Sequence, residues 1–129
     1  MVTKTKELIH KELSFKIIGS LFDVYNELGS GHPERIYDNA VRVDLQNKGL
    51  KFQNQEYCKI EYDGQRIGCY YPDFIIENKI VLELKVRPRF SKQDFDQVKK
   101  YLKEKNLKLG ILAAFCSDGV KFARVLNLY

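Results

Sequence analysis

The apolar stretch PDFIIENKIVLELK, near the middle of the chain, carries charged residues outside its central ENK segment: Asp73, Glu83 and Lys85. Residues 77–79 predict a tight turn, so we expect the segments on either side to pair as an antiparallel hairpin. If the turn is centred on its middle residue, Asp73 lies opposite Glu83, and side chains so placed are about 5 Å apart on one face. Lys85 lies two residues further along and points to that same face.

Two adjacent carboxylates repel each other, and the repulsion must be relieved by protonation, by a cation or by free access to water. A hard divalent ion such as Mg²⁺ suits the pair, because it prefers oxygen ligands and keeps several waters. A neighbouring lysine could then hold a nucleophilic water and offset charge that builds on a phosphate in the transition state. A charged, solvent-exposed face on an edge hairpin explains the same residues, so the spacing leaves both interpretations open.

Two predicted helices add polar residues to this picture. On the helix predicted over residues 33–48, Glu34 stands three residues before Tyr37 and therefore on the apolar side. An unpaired carboxylate there is unfavourable and needs a partner, which a metal would provide. On the third predicted helix, Gln97 and Tyr101 are one turn apart and could both line the rim of the same cleft. The alternative is that Gln97 is solvated and that Tyr101 packs with its hydroxyl outward.

The hydrophobic pattern predicts eight elements in the order α, α, β, β, β, α, β, β. The predicted helices cover residues 6–28, 33–48 and 91–106, and the predicted strands cover residues 52–62, 65–76, 80–86, 107–116 and 120–127. Asp63-Gly64 is a strong hairpin turn, so the first three strands are expected to form a meander. Ser91 and Asp94 have the spacing of a helix N-terminal cap. The apolar run LKLGILAAFC suits a strand covered on both faces.

Length and composition predict a single domain over residues 1–129, soluble and cytoplasmic. The chain has no run of eighteen apolar residues and no signal-peptide pattern, so no membrane association is expected. A formal net charge of +5 permits a polyanionic partner without demonstrating one. The cysteines and histidines lack zinc-site spacing. Cys58 and Cys69 would face each other across the predicted hairpin, but we expect reduced thiols in an intracellular chain.

Four motifs, in order along the chain, resemble those of a known group of nucleases. GHPERIY at residues 31–37 resembles the signature of the GxxExxY proteins, a branch of the PD-(D/E)XK nuclease superfamily. Pro72-Asp73, nine intervening residues and then Glu83-Leu84-Lys85 resemble the motif of the superfamily itself. QVKKY at residues 97–101 is similar to the helix motif of the recombination and phage exonuclease branch. The resemblance extends from about residue 17 to the C-terminus.

The resemblance implies a restriction-endonuclease-like α/β fold, with an αβββαβ core in which a central mixed sheet is flanked by helices. It also implies a divalent cofactor, Mg²⁺ or Mn²⁺, whose ligands would be Asp73, Glu83, Glu34 and the backbone carbonyl of Leu84. Lys85 would orient the attacking water. Gln97 and Tyr101 would support the site or touch the nucleic acid.

The function expected from these residues is metal-dependent hydrolysis of phosphodiester bonds in DNA or RNA. Arg87 and Arg89 leave the third strand beside the site and are candidate contacts to the nucleic acid, as is Tyr37. The alternative is a non-catalytic module of the same fold that binds nucleic acid or a protein partner. A homodimer, or a subunit of a larger assembly, would offer the surface that so short a domain lacks.

Overall fold

The computed structural model describes residues 9–54, 58–70 and 72–128. In these residues the elements follow in the order α1 (Lys11–Leu28), α2 (Glu34–Asn47), β1 (Phe52–Asn54), β2 (Cys58–Tyr62), β3 (Gln65–Tyr70), β4 (Phe74–Ile76), β5 (Ile80–Lys85), α3 (Lys92–Lys105), β6 (Leu109–Cys116) and β7 (Gly119–Leu126). The predicted start of the first helix, residues 6–8, lies outside the described residues. Within the described ranges, none of the helices combines the length and the apolar character that a membrane crossing requires.

Five strands form a central sheet in the order β1-β4-β5-β6-β7. β5 and β6 run parallel and the other neighbours are antiparallel, so the sheet is mixed. A parallel pair needs a crossover, and α3 provides it between β5 and β6. The predicted fold class, a mixed sheet flanked by helices as in restriction endonucleases, is confirmed.

Alternate side chains of the sheet face two separate cores. On one face, Leu82 and Leu84 pack with residues of α1 and α2 such as Ile17 and Val41. On the other face, residues 75 and 81 pack against α3, whose Val98, Tyr101 and Leu102 are buried. All eight residues of β6 are buried, as predicted for a strand covered on both sides. Helices therefore cover both faces of the sheet, with α1 and α2 on one face and α3 on the other.

The start of α3 is closed by the predicted cap. Ser91 Oγ accepts a hydrogen bond from the Asp94 backbone N–H at 3.2 Å, and Asp94 Oδ2 accepts one from the Ser91 backbone N–H at 2.9 Å. This reciprocal pair is a complete capping box, and it satisfies two backbone donors at the helix terminus. The prediction that the helix begins at Ser91 is confirmed.

The prediction of a meander with three long strands is wrong, because the first two predicted strands are each divided into two shorter strands. Residues 52–62 divide into β1 and β2, and residues 65–76 divide into β3 and β4. β1 pairs with β4 in the central sheet, whereas β2 and β3 form a separate two-stranded sheet. Pro72 explains the interruption, because it has no backbone N–H to donate to a strand ladder.

The small two-stranded sheet also changes the expected pairing of two cysteines. The register shifts between Ile60 and Glu61, so that Cys69 pairs with Lys59 and Cys58 pairs with Tyr70. The two cysteines are therefore not directly opposite, as an unbroken two-residue hairpin would have placed them.

Candidate active site

Asp73 and Glu83 meet at the start of β4 and near the end of β5. Phe74 pairs with Leu82, so the predicted register continues up to the residue after Asp73. The Asp73 backbone N–H donates to Glu83 Oε1 at 3.1 Å, and the Leu84 N–H donates to Asp73 Oδ2 at 2.7 Å. Each carboxylate is thus fixed by the backbone of the opposite strand.

Both acids are disfavoured in their charged forms. The pKa of Asp73 is raised to about 7, mainly by burial; the Leu84 N–H opposes the rise, and the nearby carboxylates of Glu34 and Asp38 add to it. Burial raises the pKa of Glu83 to about 8, and the Asp73 carboxylate is the next cause. Glu83 is only 6% exposed. A half-buried acid beside a buried one calls for a cation or a proton.

Lys85 supplies one positive charge to this pair. Its Nζ lies 3.7 Å from Glu83 Oε2 and 3.9 Å from Asp94 Oδ1. These separations are ion-pair distances longer than a hydrogen bond. Odd-numbered residues of β4 and β5, such as Ile75 and Val81, face α3. The side chains at positions 73, 83 and 85 alternate in step with them, so the site lies on the sheet face covered by α3.

Glu34 lies at the start of α2 and extends the site from a helix. It is the first residue of α2 and is exposed, so the expectation that it faces the apolar side is wrong. A residue at a helix start can project from the terminus even when its spacing matches the apolar stripe. Partial burial raises its pKa, Lys85 lowers it and Asp38 raises it, so Glu34 lies within the electrostatic field of the same site.

The carboxylates do not form a closed ligand cage. Within the described ranges, no three His, Cys, Asp or Glu side chains are close enough together to hold a metal ion as they stand. The chemistry of Asp73 and Glu83 nevertheless fits a hard divalent cation, because Asp73 is half-buried, Glu83 is buried, and the single ammonium of Lys85 does not balance both carboxylates. The peptide of Leu84 adjoins them, as its hydrogen bond to Asp73 shows.

A cleft of about 670 Å³ opens beside Lys85 at the start of α3. Its lining is polar and consists of Lys85, Arg87, Ser91, Gln93, Asp94, Asp96, Gln97 and Lys100. Gln97 therefore lies where the sequence placed it, half-buried at the rim. Arg87 donates a hydrogen bond to Asp94, and Arg89 is exposed in the loop that leads to α3.

Tyr101 does not line this rim. It is 1% exposed and packs in the core between α3 and the sheet. Periodicity places Gln97 and Tyr101 on one side of α3, but it does not tell a core position from a rim position. Burial excludes direct contact between Tyr101 and a nucleic acid in this conformation.

The prediction that Tyr37 contacts nucleic acid is also wrong. Its side chain is fully buried, and its ring stacks on Phe115 with centroids 4.2 Å apart. Its hydroxyl donates to the Gly29 carbonyl at 2.6 Å. Tyr37 thereby fixes the connection between α1 and α2, which leads directly into Glu34.

Four residues that surround the site were not assigned to it from the sequence. Asn54 Nδ2 donates to the Asp73 carbonyl at 2.6 Å, and Asn54 Oδ1 accepts from Arg42 Nε at 3.1 Å. Arg42 also forms an ion pair with Asp38 at 3.2 Å, and Asp38 lies one helical turn after Glu34 on α2. Asp94 contacts both Lys85 and Arg87. Asp38 follows Glu34 by four residues, and this spacing could have placed it on the same side of α2. Asp94 was already explained by the helix cap, so nothing in the sequence indicated its contacts with Lys85 and Arg87.

The fold and the buried acidic pair define a restriction-endonuclease-like α/β domain. A family model described as the PD-(D/E)XK nuclease superfamily matches residues 11–125. The chain belongs to the PD-(D/E)XK nuclease superfamily.

The solved structures add support for the fold. The chain of a crystal structure titled SSO0001 is 20% identical, with a TM-score of 0.57. The likeness covers 73% of this chain and 50% of the other, so the present chain spans about half the length of that relative. At this identity the likeness shows the fold alone. A search of curated protein sequences finds no match.

Proposed function

We propose that this chain is a metal-dependent nuclease that hydrolyses phosphodiester bonds in DNA or RNA. The observation that carries the proposal is the contact between half-buried Asp73 and buried Glu83, with the Lys85 ammonium 3.7 Å from Glu83. Membership of the superfamily supports it, because nucleic acid is the substrate that a nuclease superfamily implies.

In this proposal, Asp73, Glu83 and the Leu84 carbonyl bind Mg²⁺ or Mn²⁺, and Glu34 adds a carboxylate from α2. The bound ion would polarise the phosphate and lower the pKa of a coordinated water. Lys85 donates hydrogen bonds that orient the attacking water and offset charge on the phosphate oxygens.

The polar cleft is the proposed path of the nucleic acid. Gln97 contacts the substrate at the rim, and Tyr101 supports α3 beneath it. Arg89 and the exposed part of Arg87 bind phosphates, because guanidinium groups pair with phosphate oxygens in two-point contacts. A net charge of +5 is compatible with this partner.

We place the chain in the GxxExxY branch because the GHPERIY segment carries that signature. A cytoplasmic location and action as a homodimer, or as a subunit of a larger assembly, complete the proposal. Light scattering tests the assembly state directly.

Cleavage by purified protein tests the proposal. Labelled single-stranded DNA, double-stranded DNA and RNA are incubated with Mg²⁺, Mn²⁺ or chelator. We expect cleavage only with a divalent ion, and its loss in Lys85→Ala. Lys16→Ala, an exposed lysine on α1 across the sheet, is the matched control and should cleave normally. Binding without cleavage under every condition would overturn the nuclease proposal and favour the non-catalytic module.

A further inference from the structure

Asp94 is more deeply buried, and contacts more positive charge, than a capping residue requires. It is the third residue of α3 and only 4% exposed. Its Oδ2 accepts the Ser91 N–H, while its Oδ1 accepts a hydrogen bond from Arg87 and lies 3.9 Å from Lys85 Nζ. A carboxylate that only caps a helix needs neither burial nor two cations.

The Lys85 ammonium lies between two carboxylates at nearly equal distances, 3.7 Å from Glu83 Oε2 and 3.9 Å from Asp94 Oδ1. A direct hydrogen bond between such groups would be about 2.7–2.9 Å long. At these distances both carboxylates attract the ammonium, and Arg87, which donates to Asp94, offsets part of the Asp94 charge. The ammonium is within hydrogen-bond distance of neither carboxylate, so its N–H groups can bind a water.

We infer that Asp94 is a positioning residue for Lys85: its charge holds the ammonium away from a direct ion pair with Glu83. Without that charge, Glu83 alone attracts the ammonium, which closes onto Oε2 and occupies an oxygen that a metal would use. The inference rests on the proposed function for the task of Lys85. The position of the ammonium is a property of the folded chain alone.

Three variants separate positioning from capping. Asp94→Asn keeps an oxygen that can accept the Ser91 N–H but removes the charge. Asp96→Asn is the matched control, because Asp96 lines the same cleft on the same helix and pairs instead with Lys92 at 3.1 Å. Ser91→Ala weakens the cap while leaving every charge in place.

Crystal structures of the wild type and the variants, from crystals grown well above pH 8 where Glu83 is charged, give the direct readout. In Asp94→Asn we expect the distance from Lys85 Nζ to Glu83 Oε2 to shorten from 3.7 Å into hydrogen-bond range. It should stay unchanged in Asp96→Asn and Ser91→Ala. If Asp94→Asn alone does not fold, the double variant Arg87→Gln with Asp94→Asn avoids leaving the Arg87 guanidinium without its partner and should show the same shortening.

Cleavage kinetics give the second readout. In Asp94→Asn we expect kcat to fall roughly tenfold to a hundredfold, because a small misplacement of a catalytic group has effects of that order. KM should stay within about twofold, as expected when only a transition-state interaction is lost. A structural role alone would lower stability without this split between kcat and KM.

The outcomes distinguish this inference from the proposed function. An unchanged Lys85 position in Asp94→Asn, or the same movement in Asp96→Asn, overturns the inference while leaving cleavage by the wild type intact. Absence of cleavage by the wild type overturns the proposed function, and the crystal structures still decide the inference.

Discussion

At the scale of single residues, the contact between Asp73 and Glu83 gives the metal-free fold a specific pH dependence. Both pKa values are raised, to about 7 and about 8, from about 4 in the unfolded chain. The unfolded state therefore releases these protons at lower pH than the folded state. The stability that the pair contributes is complete below about pH 4 and is lost as the pH rises through about 8.

Glu83→Gln removes half of this titration while keeping an oxygen for the Asp73 N–H. In the presence of chelator at pH 8.5, we expect the variant to exceed the wild type in free energy of unfolding by several kcal/mol, because a pKa raised to about 8 disfavours the charged side chain of the folded protein at this pH. At pH 4.5 the difference should nearly vanish. Urea unfolding at both pH values measures it, and a variant less stable than the wild type at pH 8.5 would count against the buried pair.

Tyr37 gives a contrasting prediction, because the structure assigns it to the core. Tyr37→Phe loses the hydrogen bond to the Gly29 carbonyl and should lower the free energy of unfolding by about 1 kcal/mol. Binding of nucleic acid should not change, since the side chain is fully buried. Equilibrium binding and denaturant unfolding of the variant test both statements, and weaker binding at unchanged stability would contradict them.

At the scale of elements, α3 can pack closely against the sheet because residue 110 of β6 is a glycine. A Cβ at Gly110 of β6 would lie 2.5 Å from Val98 Cγ1 of α3. Val98 is fully buried and stiff at χ1, so it cannot move aside easily. We expect Gly110→Ala to lower the free energy of unfolding by about 1 to 3 kcal/mol through overpacking.

Gly19→Ala on α1 is the matched control for that substitution. A Cβ there meets nothing within 4 Å, and the residue lies inside a helix. Alanine should therefore stabilise the fold by about 0.5 to 1 kcal/mol. Thermal or urea unfolding compares the two variants, and equal effects in the same direction would refute the packing argument.

The elements differ in how well the sequence predicts them. The capping box at Ser91 and the tight turn before β5 are local chemistry, so spacing was enough to predict them and the pairing of Phe74 with Leu82. The division of the long hairpin depends on Pro72 and on tertiary pairing with β4. Periodicity on a helix likewise could not separate the rim position of Gln97 from the core position of Tyr101.

At the scale of the whole molecule, the sheet brings together residues that are far apart in sequence. Glu34 approaches from α2, the acidic pair from β4 and β5, and Asp94 from α3 on the other face of the sheet. The family resemblance implied the fold class, and the register of the hairpin predicted the meeting of Asp73 with Glu83. It could not predict which polar neighbours complete the site, because those contacts depend on how helices from both faces pack.

The most direct test of the central claim is a titration of the folded protein with Mn²⁺, followed by calorimetry. The account predicts that the wild type binds the ion, and that Asp73→Asn and Glu83→Gln, which should remain folded, bind it at least tenfold more weakly. Wild-type protein saturated at about 100 times its Kd should also gain about 2.7 kcal/mol in free energy of unfolding. A wild type that does not bind Mn²⁺, or variants that bind it as well as the wild type, would contradict the account.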